Sequence, residues 1–359
     1  MVYSVSTLSS SLRLSDYLID QRARLDKAVI ENASKKHADM GLTLGAQTGA
    51  AASFRSEFYQ LESQLDTNRQ LVTRLDVMDT ALDNMHNSAS TFRSDLIALK
   101  SNSNNLKTAS NLAYTELDKL TNSLNTNVSG VYVFGGINTG TAPAADFQFK
   151  SPGAPVPLGP EEQIEKVFND YFMHGIDDPA TASIPASGDP LGKDWETFLE
   201  SPAFKDIFNA DWTTHWSSAT DEKMTSTIEN GVTTSGSGSA NEKAFRELAE
   251  GLSIVAVFGK LDLNVDAEKF ITDRAVSSLN GGVEKTIAIE AQNGAIKTNV
   301  ERTNSDVIAK RDVLNVRIND LENVDENRAA VELSLAQTQL EATYAITAKI
   351  KDLNILKYL

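Results

Sequence analysis

Proline removes a helical hydrogen bond and clashes with the preceding turn, and glycine loosens a helix, so their placement limits what a chain can build. All nine prolines here lie between Pro143 and Pro202. Residues 1–40, the run Ala50–Ser129 and everything after Gly294 contain neither breaker. Both ends are therefore free to form long helices, and irregular structure is confined to the middle. The fold class this implies is mainly α: a long antiparallel coiled-coil rod built from both termini, with a β-hairpin and an inserted mixed α+β domain.

The rod has a readable period. From Leu61 the apolar positions run Leu65, Val72, Leu75, Met78, Leu82, Met85, Ala89, Phe92, Leu96, Leu99 and Leu106, then Ala113, Leu117, Leu120 and Leu124. Steps of three, four and seven keep this stripe on one side of a helix. Asn68, Ser103 and Ser110 are polar lapses in the seam. One helix of roughly 70 residues, about 105 Å long, is the expectation. The C-terminal region offers a partner stripe of Ile289, Ile296, Val300, Val307, Leu314, Ile318 and Leu321.

Each end also carries a shorter amphipathic segment. Near the start it is marked by Leu14, Leu18, Leu25 and Val29, and Gly41, Gly45 and Gly49 form a connector to the long helix. Near the end it is marked by Val331, Leu335, Ala342, Ile346, Ile350, Leu353 and Leu356, after a bend at 322–327. Two or three thin helices have little interior, so apolar surface should remain for a partner. The expected subunit-interface residues are Leu14, Leu18, Leu25, Val29, Leu335, Ile346, Ile350, Leu353 and Leu356.

Between the helical ends, Val131-Tyr132-Val133-Phe134, bounded by Gly130 and by Gly135-Gly136, reads as a strand opening a hairpin. Pro143–Pro160 reads as a linker or extended lead-in. Trp195, Trp212 and Trp216 are expected in a core belonging to the insert. Thr233–Ser239, rich in glycine and serine, is expected to be a flexible exposed loop, and Ala244–Lys260 a helix.

Charge and composition remove whole function classes. A net charge of −16 leaves no basic stripe for phosphates, which argues against nucleic acid. The longest apolar runs are too short for membrane insertion. With no cysteine, disulfides, thiolate metal sites and cysteine nucleophiles drop out. Residues 1–7 show neither a basic n-region nor an apolar h-region, so no conventional secretory signal is read there.

An enzyme carried by the insert is the competing class. His37, His86, His174 and His215 are scattered and no His-Glu-x-x-His occurs, so they read as ordinary polar residues. Asp262-Leu263-Asn264-Val265-Asp266 has the alternating acids of a calcium loop, but Ala267 stands where glycine is needed. The better reading is Asp266 capping a helix from about Ala267. Gly236 and Gly238 lack the lysine of a phosphate loop. No catalytic, cofactor or metal residues are assigned.

Both helical ends resemble the flagellin superfamily, and within it the hook-associated subunits of the hook–filament junction. The likeness rests on Asn125–Gly136, on Glu332-Leu333-Ser334-Leu335-Ala336-Gln337-Thr338-Gln339-Leu340-Glu341-Ala342, and on the ending Ala348–Leu359. It spans about the first 140 and last 80 residues. One departure lies after the first helix, where Ala33–Gly41 lacks the acidic pair usual in the family. The resemblance implies a non-enzymatic, secreted structural subunit of the bacterial flagellum, exported unfolded and assembled through its terminal helices. The partners it implies are the first hook-associated protein, flagellin, identical subunits in a ring and an export chaperone. Filament flagellin itself is the nearer alternative. The implied division is a terminal assembly domain (1–50, 322–359), a rod domain (51–142, 274–321) and a variable surface insert (143–273).

Overall fold

The computed structural model describes residues 7–99, 106–229 and 231–352. The elements run α1 (Thr7–Ser34), α2 (Met40–Leu44), a 3-10 turn (Gly45–Gln47), α3 (Thr48–Leu99), α4 (Leu106–Leu124), β1 (Asn127–Val128) and β2 (Val131–Tyr132). Then come α5 (Pro160–Phe172), a 3-10 turn (Pro179–Ser183), α6 (Trp195–Glu200), α7 (Pro202–Ile207), α8 (Trp212–His215), β3 (Thr225–Glu229) and β4 (Val232–Ser235). The chain closes with α9 (Lys243–Ser253), a π-helical turn (Ile254–Phe258), α10 (Val265–Glu322) and α11 (Glu326–Asp352). The fold is mainly α, with long helices packed on one another and two small antiparallel hairpins. The contacts divide it into two compact units, Met1–Ser63 with Asp306–Leu359, and Gln64–Ser305.

In the larger unit α3 and α10 run antiparallel. Arg93 donates to Asn280 at 2.7 Å and Asn68 to Asn304 at 2.7 Å, with Asp79–Asn293 and Asp76–Lys297 between them. The apolar seam read from the sequence is their contact: Leu75, Leu82, Phe92 and Leu96 are all at or below 3 % exposure, as is Val300 opposite.

The single helix of about 70 residues is not what forms. Ser88 of α3 hydrogen-bonds Glu116 of α4, yet in one straight helix those residues would lie about 42 Å apart. The chain turns back between α3 and α4. The intervening sequence, Ser101-Asn102-Ser103-Asn104-Asn105, falls outside the described residues. Two of the polar lapses in the seam, Asn68 and Ser110, have tertiary partners, and Ser103 lies outside the described residues. Asn68, fully buried, donates to the Ile228 carbonyl at 3.0 Å, and Ser110 donates to the Ala256 carbonyl at 2.6 Å.

A hairpin forms here, but one strand earlier than expected: Val131–Tyr132 closes it as β2 against β1 instead of opening it, and Val133 and Phe134 lie beyond the strand. Ser129 and Gly130 form the hairpin's two-residue turn at φ 53° and 84°, the left-handed pair that a type I′ turn requires. Beyond β2, the Val133 and Phe134 carbonyls accept from Gly238 and Ala240 at 2.8 and 2.7 Å. This corrects the reading of Thr233–Ser239 as an exposed loop. Thr233 is exposed, but Gly236, Ser237, Gly238 and Ser239 are buried. A Cβ on Gly238 would stand 2.8 Å from the Phe134 ring, so this glycine permits close approach rather than flexibility. The Ser237 and Ser239 hydroxyls reach the Gly136 and Thr220 carbonyls at 3.2 and 2.7 Å.

A second correction concerns the tryptophans. Trp195, Trp212 and Trp216 are buried, but in a core continuous with that of α3, α4 and α10. The π-helical turn makes the join. Phe258 sits 5.1 Å from Trp195 and 5.9 Å from Phe168, while Ala256 holds Ser110 of α4. A third correction is small: the cap of α10 is Asn264, whose side chain accepts from Ala267 N at 2.9 Å, so Asp266 falls within the first turn.

Candidate assembly interface

In the smaller unit α1 and α11 pack along each other. The chain bend expected at 322–327 lies between α10 and α11. There Asn323 forms an antiparallel bridge with Lys36, His37 N donates to the Glu322 carbonyl at 2.9 Å, and Val324 N donates to the Lys35 carbonyl at 3.0 Å. The end of α1 thus meets the start of α11, which sets the two helices antiparallel.

Their shared seam is narrow. From α11 it takes Ala329, Leu333, Ala336, Leu340, Thr343 and Thr347, buried or half-buried at steps of three and four. From α1 it takes Leu14, Leu18, Gln21, Leu25 and Ala28. Alanine and threonine fill little space and leave the helices close together.

The stripe that the sequence made prominent in α11 is on the other side. Val331, Leu335 and Ile346 are 67 %, 55 % and 54 % exposed, and Ala342 is exposed with them. On α1 the outward apolar residues are Leu12, Ile19, Val29 and Ile30. The expected interface residues therefore separate. Leu14, Leu18 and Leu25 are half-buried in the intrachain seam, whereas Val29, Leu335 and Ile346 face solvent. Ile350 lies in the last turns of α11, and Leu353 and Leu356 lie outside the described residues. Leu12, Ile19 and Ile30 were missed because they fall off the steps of three, four and seven through Leu14.

A buried carboxylate ties the bend. The Glu322 side chain is 2 % exposed and meets Arg55 and, at 3.1 Å, Lys36. The Arg55 hydrogen bond holds its carboxyl below the usual carboxylate range, and Lys36 adds to this. The segment without the family's acidic pair is held by other acids. Glu31 accepts from Ala38 N at 3.2 Å, and Asp39 caps α2 through Leu42 N at 2.9 Å.

A pH dependence follows. A folded carboxyl with a depressed pKa stabilises above the unfolded value, about 4.3 for Glu, and the benefit is lost as pH falls through the folded value. Glu322→Gln should cost roughly 1–2 kcal/mol at pH 7. In chemical denaturation the gap from wild type should hold down to about pH 5 and close below about pH 4.3. A gap that does not change with pH would mean that the ion pair contributes nothing.

The family model for the bacterial flagellin N-terminal helical region matches residues 5–139, and that for the C-terminal helical region matches residues 276–359. Together they take in well over half of the chain. The chain belongs to the flagellin family. Both matches stop short of the insert. Among solved structures, a protein from Vibrio parahaemolyticus provisionally assigned as flagellar hook-associated shares the fold with a TM-score of 0.50 at 12 % identity. The alignment covers 77 % of this chain and 97 % of that one. No curated protein matches. Flagellins are structural proteins that are exported into the extracellular flagellum.

Proposed function

We propose that this flagellin-family chain joins hook-side subunits to the filament, and that it is exported unfolded and fixed in place by its terminal helices. The observation that carries the assembly role is the uncovered stripe Val331, Leu335, Ala342 and Ile346 on a helix whose opposite side is already packed. A soluble monomer gains nothing from such a stripe, whereas a neighbouring subunit can bury it. The likeness to a protein of the hook-associated class supports the junction over the filament body. On this reading the chain contacts the first hook-associated protein on one side, flagellin on the other, and identical copies around a ring. An export chaperone covers its terminal helices before secretion. The assembly domain expected at 1–50 and 322–359 belongs to this proposal.

Electron microscopy of a deletion strain tests it. Hooks without filaments, with flagellin released into the medium, are expected. Loss of filaments with no flagellin released would make the chain the filament subunit instead.

A further inference from the structure

The antiparallel pairing of α3 and α10 brings together three side chains that the sequence keeps far apart. Asp83 and His86 are three residues apart on α3, on one face and one turn from each other. Glu290 meets them from α10. One potential ligand atom from each lies within 4.8 Å of the other two. We propose that Asp83, His86 and Glu290 form a binding site for a divalent transition ion of the zinc class, which staples α3 to α10 in the larger unit.

Three observations support the site. First, His86 Nδ1 is shut off from solvent and makes no hydrogen bond, although Glu290 Oε2 stands only 3.3 Å away. The two atoms are at hydrogen-bonding range but out of line for a proton. Second, bonds of about 2.0–2.2 Å in a tetrahedral zinc site put neighbouring ligand atoms about 3.3–3.5 Å apart. The His86–Glu290 pair already spans that edge. Third, one Asp83 carboxylate oxygen lies within 4.8 Å of the ligand atoms of His86 and Glu290. Its side chain is 57 % exposed and accepts a 2.9 Å hydrogen bond from Asn87, so it has room to turn toward an ion held there.

The donor chemistry selects the ion. One imidazole nitrogen with two carboxylates suits zinc and its neighbours, whereas calcium and magnesium take oxygen ligands in larger number. A fourth position stays open for water. A staple of this kind needs no thiol, and this secreted chain has none.

The test uses the full-length chain stripped with a chelator and titrated with zinc chloride by calorimetry, with thermal melting alongside. Wild type should bind one zinc per chain and melt higher in its presence. His86→Gln and Glu290→Gln should each weaken binding about tenfold or more, while circular dichroism shows the same helix content. Asp83→Asn, at an exposed position, provides a variant with little risk to folding and should also weaken binding. Cobalt in place of zinc should give the visible bands of a tetrahedral site in wild type only. Absence of zinc binding by wild type overturns the proposal. So does equal zinc affinity in His86→Gln, which would put the ion on another histidine. An equal rise in melting temperature with magnesium or calcium also overturns it, because the site would then be a plain carboxylate pair.

Discussion

Leu335→Asp combined with Ile346→Asp should leave a folded, secreted monomer that no longer assembles. Both side chains are more than half exposed, so the monomer loses little, and surface changes of this kind stay within about 0.5 kcal/mol. Assembly should lose far more. Burying each apolar side chain contributes about 1.5–3 kcal/mol, and two carboxylates brought to a dry contact must be desolvated or protonated. A loss of roughly 3–6 kcal/mol is on the order of 10²- to 10⁴-fold in affinity. The melting temperature of purified monomer should stay close to that of wild type while filament counts fall to almost none. Normal filaments would remove this face from the interface. A much earlier melt would show that it packs internally.

Replacing Ala144–Asn264 by a short glycine-serine linker should destroy the cooperative unfolding of what remains. The composition shift at Pro143 suggests an insert that could be removed cleanly, but the packing contradicts that. α4 buries Leu106, Ala109, Ala113, Leu117, Leu120 and Leu124, and its most extensive packing is against α9 and the π-helical turn. Their Leu248, Leu252, Ile254, Val255, Val257 and Phe258 are at or below 3 % exposure. At about 1.5–3 kcal/mol per large apolar side chain, this layer amounts to roughly 9–18 kcal/mol, as large as the 5–15 kcal/mol by which ordinary domains are stable. A circular dichroism melt of the deleted chain should be shallow, with helix content reduced by more than the residues removed. A sharp transition near that of wild type would show that the rod has a core of its own.

The proposed interface was half legible in the sequence. Period found the outward stripe of α11, where Val331, Leu335, Ala342 and Ile346 recur at steps of four and seven. Period could not show that the opposite stripe seats on α1, because its Leu333 and Leu340 alternate with Ala329, Ala336 and Thr343, whose small side chains carry a weak apolar signal. On α1 the reverse happened. The conspicuous leucines turned inward and became half-buried, leaving Leu12, Ile19 and Ile30 outside.

The sequence by itself determined the helical ends, the bend at 322–327, a β-strand at Val131–Tyr132 and the family. These depend on local rules: where breakers are absent, where apolar steps repeat, and where β-formers sit between glycines. Tertiary structure decided what depends on which element lies opposite. It folded α4 back along α3 and drew Gly236–Ser239 against Phe134. It joined the tryptophans to the rod's core through Phe258, and it set Glu290 beside His86. The physical reason is range. Helix periodicity is written within a few residues, whereas the register of α3 on α10, and each buried polar pair it creates, joins positions some two hundred residues apart.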